Sequence, residues 1–294
     1  RLRTLQTEWN SPWPLQPQDQ VFGKLMGVDA IVDTAIVPGK DGMKDSYDHF
    51  SQSKPIVFQS GTYPRHHLAA SPFGLMPLTE GPHTYRQGDC LLSGVGPLIF
   101  PFRERIRKLD IHLLVQRQKR LNDYTLRDNL DDLIVTPGLE DRVKREVHEL
   151  LPHLDESCVE ASVFEVPGHD YYLCEVKARL TEPLTEEDFL ETLRAQPRVA
   201  VLPRTIEIST GQIQQLIREP LIENGRRLKP ILVFSCPGAV RIRKKKLLFR
   251  AAFYSKAITM LPNIDTVRSL VRGMAPLEAM LQTDAYYFDH DSSS

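Results

Sequence analysis

The chain has 294 residues, 41% hydrophobic and 26% charged, with a formal net charge of -1. This is the composition of a globular protein of one large or two modest domains, and the balanced charge gives no global electrostatic case for binding nucleic acid or an anionic membrane. No run of about 18 apolar residues occurs, so no membrane-spanning helix is expected, and the polar, proline-rich start does not read as a signal peptide.

Residues 1–26 carry no clear hydrophobic period and read as loop or short helix. In "GVDAIVDTA" the apolar Val28, Ala30, Ile31 and Val32 run into Asp33-Thr34, the pattern of a buried strand in a parallel sheet. "KPIVFQSG" is a second such strand, ending at Gly61, with a helical stretch between the two. Strand, helix, strand at this spacing is a unit of a doubly wound sheet. Ligands of such sheets bind at the carboxyl ends of the strands, where Asp33, Thr34, Gln59, Ser60 and Gly61 stand. The plainer reading makes these residues ordinary strand exits. His66 and His67 read as a loop pair, and no metal site is expected.

Cys90 lies in "RQGDCLLSGVGPLIFPFRERI", followed by a helix expected over 97–109 with Pro97 in its first turn. A strand at 111–117 comes next. "GLEDRVKREVHELLP" reads as an amphipathic helix with Val143, Val147, Leu150 and Leu151 on one side. Two strand-like runs, 157–168 and 171–180, separated at Gly168-His169-Asp170, read as a hairpin. Thr185 is the N-cap of a short helix with Glu186, Glu187 and Asp188 in its first turn. "RVAVLP" is a strand, 209–225 a helix that Pro220 kinks or ends, and 229–255 two long strands around a Pro237-Gly238 turn. Residues 263–283 are helical. The fold class is therefore α/β plus α+β: a partial doubly wound (Rossmann-like) parallel sheet followed by an antiparallel-sheet domain with helices on one face. The expected divisions are 1–89, an incomplete nucleotide-binding part; 90–272, an α+β catalytic and oligomerisation domain; and 273–294, a C-terminal segment returning to the first part.

The four cysteines, at 90, 158, 174 and 236, form no CxxC pair and no zinc spacing. Free thiols in a reducing cytosol are expected. The basic run 241–246 places Arg241, Arg243 and Lys245 on one strand face. It reads as a solvated strand edge that resists aggregation, and with no aromatic platform beside it no nucleic-acid partner is expected.

Cys90 has two readings. A thiol reacts as thiolate, and a helix N-terminus favours that form through its unsatisfied N–H groups. The same amides stabilise an oxyanion formed on a carbonyl, so the segment suits covalent catalysis on an aldehyde or ester. The other reading is a small, inert, buried side chain.

The order of these segments resembles the glyceraldehyde-3-phosphate dehydrogenase family, in its archaeal-type (type II) branch, over about residues 27–285. Cys90-Leu91-Leu92-Ser93-Gly94-Val95 stands where that family has Cys-Asn-Thr-Thr-Gly-Leu. "LTEEDFLETLRAQPRVAVL" resembles its helix, proline and strand, and "LPNIDTVRSLV" its Pro-Glu-Asn-Ile-Asp-Ala-Ile-Arg ending. The resemblance implies an oxidoreductase using NAD or NADP on a phosphorylated aldehyde through a cysteine thioester. Cys90 is then the nucleophile, Arg117 the holder of the substrate phosphate, and Thr34, Gln59 and Gly61 the lining of the nicotinamide side. It also implies a cytoplasmic homo-oligomer, dimer or tetramer, with no nucleic-acid or membrane partner.

The sequence departs from the family in three places. No Gly-x-Gly-x-x-Gly fingerprint precedes Gly27. Thr136-Pro137-Gly138-Leu139-Glu140 stands where the family has its histidine base, leaving Glu140, His148 and His153 as unselected substitutes. Leu91 replaces an asparagine, and Tyr254-Ser255-Lys256-Ala257 stands at the family's His-Gln-Glu-Ser segment. These departures keep two alternatives open: a catalytically degenerate relative that binds or assembles, and a thiol enzyme working without nicotinamide.

Overall fold

The computed structural model describes residues 28–33, 54–58, 67–68, 84–88, 90–116, 135, 138–166, 171–213 and 229–288. Short β-branched and aromatic runs build a first sheet from β1 (Ile31–Asp33), β2 (Ile56–Phe58), β3 (His67–Leu68) and β4 (Thr84–Arg86). The order is β1-β2-β4-β3 and every pairing is parallel. Ile56, Val57 and Phe58 are wholly buried, as expected of a strand covered on both faces. The strands expected in 27–35 and 54–61 appear as Ile31–Asp33 and Ile56–Phe58, and 34–35 and 59–61 lie outside the described residues. β3 and β4 were not anticipated, because two or three residues carry no period; His67, read as part of a loop pair, opens β3.

The helix expected over 97–109 is displaced. Helix α1 spans Cys90–Ile99, a 3-10 helical turn spans Phe100–Arg105, and strand β5 begins at once over Ile106–Gln116. Pro101 starts the tighter turn, since it cannot donate to a continuing helix. A bulge between Ile106 and Lys108 hid the first part of β5 by breaking its alternation.

β5 enters a second sheet with β6 (Val159–Val166), β7 (Tyr171–Leu180), β8 (Val199–Val201), β9 (Ile231–Val233), β10 (Val240–Arg243) and β11 (Lys246–Tyr254). The order is β6-β5-β7-β11-β9-β8, with β10 on β11. The sheet is mostly antiparallel, with β5/β6 and β8/β9 parallel. Two expectations are corrected here. β6 and β7 are not a hairpin: both pair with β5, which lies between them. Helix α2 (Leu139–Leu150) carries the chain from β5 to β6, and such a crossover returns the strand parallel. Nor is Pro237-Gly238 the turn of one long hairpin: three strands cover this stretch, and the tight turn is Lys244-Lys245, between β10 and β11. Of the helix expected over 209–225, 209–213 fall within the described residues, and 210–213 are helical.

Along β7 the residues Tyr172, Cys174, Val176, Ala178 and Leu180 point inward and are buried. They meet α1, α2 and α3 (Glu186–Arg194) on one face of the sheet. A stack of Phe102 on Phe189 at 5.2 Å, and a tilted contact of Phe189 with Phe249 at 5.0 Å, join the 3-10 turn, α3 and β11. Thr185 caps α3 as expected, its hydroxyl accepting from the Asp188 N–H at 3.1 Å. Helices α4 (Ser255–Arg272) and α5 (Pro276–Phe288) close the described chain, and α4 lays Val267 and Leu270 against Val57 and Tyr85 of the first sheet. No described helix is long and apolar enough to cross a membrane.

Candidate functional site

The first sheet brings three strand ends to one level. Asp33 is the register partner of Phe58, and Phe58 of Arg86. The Gln87 N–H extends this level by donating to the Phe58 carbonyl at 2.7 Å. Thr34 and Gln59 are the next residues after Asp33 and Phe58, and Cys90 follows Arg86 by four positions.

Gln87 is buried and points back across the fold. Its side-chain amide donates to the Pro262 carbonyl at 3.1 Å and to the Thr266 hydroxyl, tying the end of β4 to α4. Cys90 is the first residue of α1. The rest of that helix is buried: Leu91, Leu92, Val95, Leu98 and Ile99 all enter the main core. At Gly94 the helix touches the sheet so closely that an added Cβ would sit 2.5 Å from Cδ2 of Phe253. The Ser93 hydroxyl donates to the Gly88 carbonyl at 3.4 Å, bracing the turn before the helix.

Of the residues expected in the site, Cys90 stands at the head of α1, while Thr34, Gln59, Gly61 and Arg117 lie outside the described residues. The two histidines downstream of the expected base position serve the backbone. His148 Nδ1 hydrogen-bonds the Leu154 carbonyl at 2.7 Å, and His153 Nε2 the Ile106 carbonyl at 3.4 Å. Leu91, where the family has asparagine, is a core side chain only 3% exposed. Among the described cysteines, 158, 174 and 236 are free thiols. Burial in β7 pushes the Cys174 thiol up to about 12, so it is inert near neutrality.

A groove of about 560 Å³ runs between Val32 of β1 and Met260, Ile264, Val267, Arg268 and Val271 of α4. Pro262 and Thr266 of α4 bond Gln87 at the end of β4, and Val267 and Leu270 pack on Val57 and Tyr85.

A buried charge cluster was missed by the sequence reading. Arg198 forms a bidentate pair with Asp265 of α4 at 2.8 and 3.0 Å and a third bond to Asp284 of α5 at 2.6 Å. Burial acts to lower the Arg198 pKa, but the two carboxylates outweigh it and keep the guanidinium charged. Burial pushes the Asp284 carboxyl up against the pull of Arg198, and pushes the nearby Lys229 ammonium down. The residues are far apart in sequence and only the fold joins them; Asp265, within the family-like "LPNIDTVRSLV", was the one signal available.

Ligands of parallel sheets bind beyond the carboxyl ends of the strands, and α1 begins at Cys90 shortly after the aligned ends of β1, β2 and β4. Among the described residues no glycine-lined helix start offers the pyrophosphate cradle that a dinucleotide uses elsewhere.

No protein-family model matches the chain. The chain is similar to the glyceraldehyde-3-phosphate dehydrogenase of Aeropyrum pernix, with 22% identity over 264 residues, covering 88% of this chain and 74% of that protein. At this identity the relationship to such dehydrogenases is a distant one.

Proposed function

We propose that the chain is an NAD(P)-dependent oxidoreductase of the glyceraldehyde-3-phosphate dehydrogenase type, acting on a phosphorylated aldehyde through Cys90. The observation that carries this reading is the start of α1 at Cys90 itself, four residues beyond the aligned ends of β1, β2 and β4. A cysteine in that position meets the free N–H groups of a helix start, which favour the thiolate. The thiolate adds to the aldehyde carbon and forms a C–S bond, and the helix amides stabilise the negative oxygen. The carbonyl reforms as a thioester, which phosphate or water then cleaves to free the thiol. NAD or NADP supplies the acceptor for the hydride that leaves the carbon. Thr34, Gln59 and Gly61 would hold its nicotinamide side, and Arg117 the substrate phosphate through a bidentate contact. The free thiols of Cys158, Cys174 and Cys236 accord with a reducing, cytoplasmic setting.

A second reading, a degenerate relative that binds without turnover, draws on Leu91 and the two histidines. Leu91 is buried where a polar group would assist, and His148 and His153 are engaged with backbone carbonyls. A missing general base typically removes about 10²–10⁴-fold in rate.

Iodoacetamide labelling followed by peptide mass analysis over a pH series separates these readings. An activated Cys90 labels with a midpoint below about 7.5, while Cys174 stays unlabelled in the same samples. A midpoint near 8.5, the ordinary thiol value, removes the nucleophile. Titration calorimetry with NAD and NADP, and turnover of glyceraldehyde 3-phosphate lost in Cys90→Ser, then divide the enzyme from the binder.

A further inference from the structure

Four adjacent strands carry a cation at the same level. Arg243 of β10 is the register partner of Lys246 of β11, Lys246 that of Arg179 of β7, and Arg179 that of Lys108 of β5. Directly paired residues share a face of the sheet, so the four side chains form one row. The face is the outer one, because their neighbours Leu247, Ala178 and Leu109 point into the core. With strands about 4.8 Å apart, the row spans about 14 Å. Lys108 is neutralised by Glu160 at 2.6 Å. Arg243, Lys246 and Arg179 have no ion-pair partner among the described residues and are exposed.

Like charges directly opposite one another destabilise a sheet. Protection of a strand edge does not explain them, since Lys246, Arg179 and Lys108 sit on the interior strands β11, β7 and β5. The turn beyond the row gives a second, independent sign. Lys244 occupies the left-handed region at φ 55, where tight hairpins normally place glycine, asparagine or aspartate. At this one bend the chain accepts both backbone strain and charge repulsion to keep its cations, Lys244 and Lys245 among them.

We propose that this row, with the Lys244-Lys245 turn, is a docking surface for the sugar–phosphate backbone of a nucleic-acid duplex, bound without regard to sequence. A duplex presents closely spaced phosphates along each strand, one charge per about 3.4 Å of axis, a dense negative array that a row of cations complements. No aromatic residue stands in the row to stack unpaired bases: Tyr171 and Tyr254 lie at the opposite end of the same strands. The turn carries no apolar side chain to enter a lipid surface. The edge-protection reading of 241–246 still accounts for Arg241 and Arg243 of β10, whose described pairing is with β11 alone, but it does not reach Lys246, Arg179 and Lys108 on the interior strands.

The test is fluorescence anisotropy of the full chain with a labelled duplex of about 20 base pairs and arbitrary sequence, over about 50–200 mM salt. Binding should weaken with a slope of log K against log salt of about -3 to -5, since each phosphate neutralised contributes about -0.9. The triple variant Arg179→Gln/Arg243→Gln/Lys246→Gln should lower affinity at least about tenfold and make the slope shallower by about 2.7. Its circular dichroism should match the parent and its Tm should hold or rise, because the repulsion is gone. Lys244→Gly, which relieves the turn, should also bind more weakly while folding at least as well. The proposal is overturned if the parent shows no salt-dependent binding, if the triple variant binds like the parent, or if anionic vesicles are bound and the duplex is not. Cys90 labelling is unaffected in these variants, so failure here stays distinct from failure of the oxidoreductase reading.

Discussion

Arg198 adopts a left-handed backbone conformation, φ 49, in order to aim its guanidinium at Asp265 and Asp284. Strain of this kind persists only where surrounding contacts over-determine it. A buried pair is strongly destabilised when one partner is removed, because the other charge stays behind. Asp265→Ala should therefore cost about 3–5 kcal/mol in urea melts at neutral pH. Asp284 should behave otherwise. A carboxyl whose folded pKa is raised contributes stability in full below its ordinary value of 3.8, and loses that contribution as pH rises through the raised value. Its charge at neutral pH is thus held at a cost, and Asp284→Asn, which keeps an oxygen for Arg198, should cost less than about 1 kcal/mol. Equal losses in the two variants would show that the cluster is not organised around Asp265. The contrast with Thr185 shows what was legible. A cap is written within four consecutive residues and was read correctly, whereas the Arg198 cluster depends on strands and helices that only the folded chain brings together.

Helix α1 carries glycines at 94 and 96 and a proline at 97, all poor residues for a helix interior. Propensity therefore pointed to a start at Pro97, seven residues too late. Packing reverses the preference: the absent side chain at Gly94 lets the helix rest on the Phe253 ring, and five apolar residues of α1 are buried there. Gly94→Ala must displace the ring or the helix, because Phe253 is itself wholly buried. The expected cost is about 1–3 kcal/mol in thermal unfolding, together with a changed Cys90 labelling rate as the head of the helix shifts. A variant with parental Tm would show that the contact is loose. The β6/β7 error has a related origin. The Gly168-His169-Asp170 signal reports that the chain reverses direction, and says nothing about which strand it reverses beside.

Across the whole molecule, α4 is the bridge between the two sheets. It leaves β11 at Tyr254, receives both hydrogen bonds of Gln87, and packs on Val57 and Tyr85. Gln87→Leu leaves the Thr266 hydroxyl and the Pro262 carbonyl without their buried donor, at a cost of about 1–3 kcal/mol. Hydrogen exchange should localise the damage: amides of β2 and β4 exchange faster, while β5 and β7 keep their protection. Uniform acceleration would mean that the sheets open as one unit without this link. At this scale the broad classes were legible, a parallel sheet first and a mostly antiparallel one after it, because buried runs and alternating runs differ in pattern. Strand order was not, since it is set by which apolar faces meet. Cys90 was singled out from the sequence and opens α1, its role in a site being a proposal, while Thr34, Gln59, Gly61 and Arg117 lie outside the described residues.

The last of the described strands lies at the centre of the second sheet. β11 pairs with β7 on one side and with β9 and β10 on the other. During synthesis, β5, β6, β7 and β9 leave the ribosome first, with β7 and β9 each lacking the neighbour that covers its backbone. Only when residues 246–254 emerge do the two halves of the sheet close around them. Sequence-distant pairing of this kind is slow and leaves strand edges open to other chains. The nascent protein therefore depends on residues 246–254 arriving promptly, and a ribosome stalled before Lys246 holds a chain whose sheet is split down the middle.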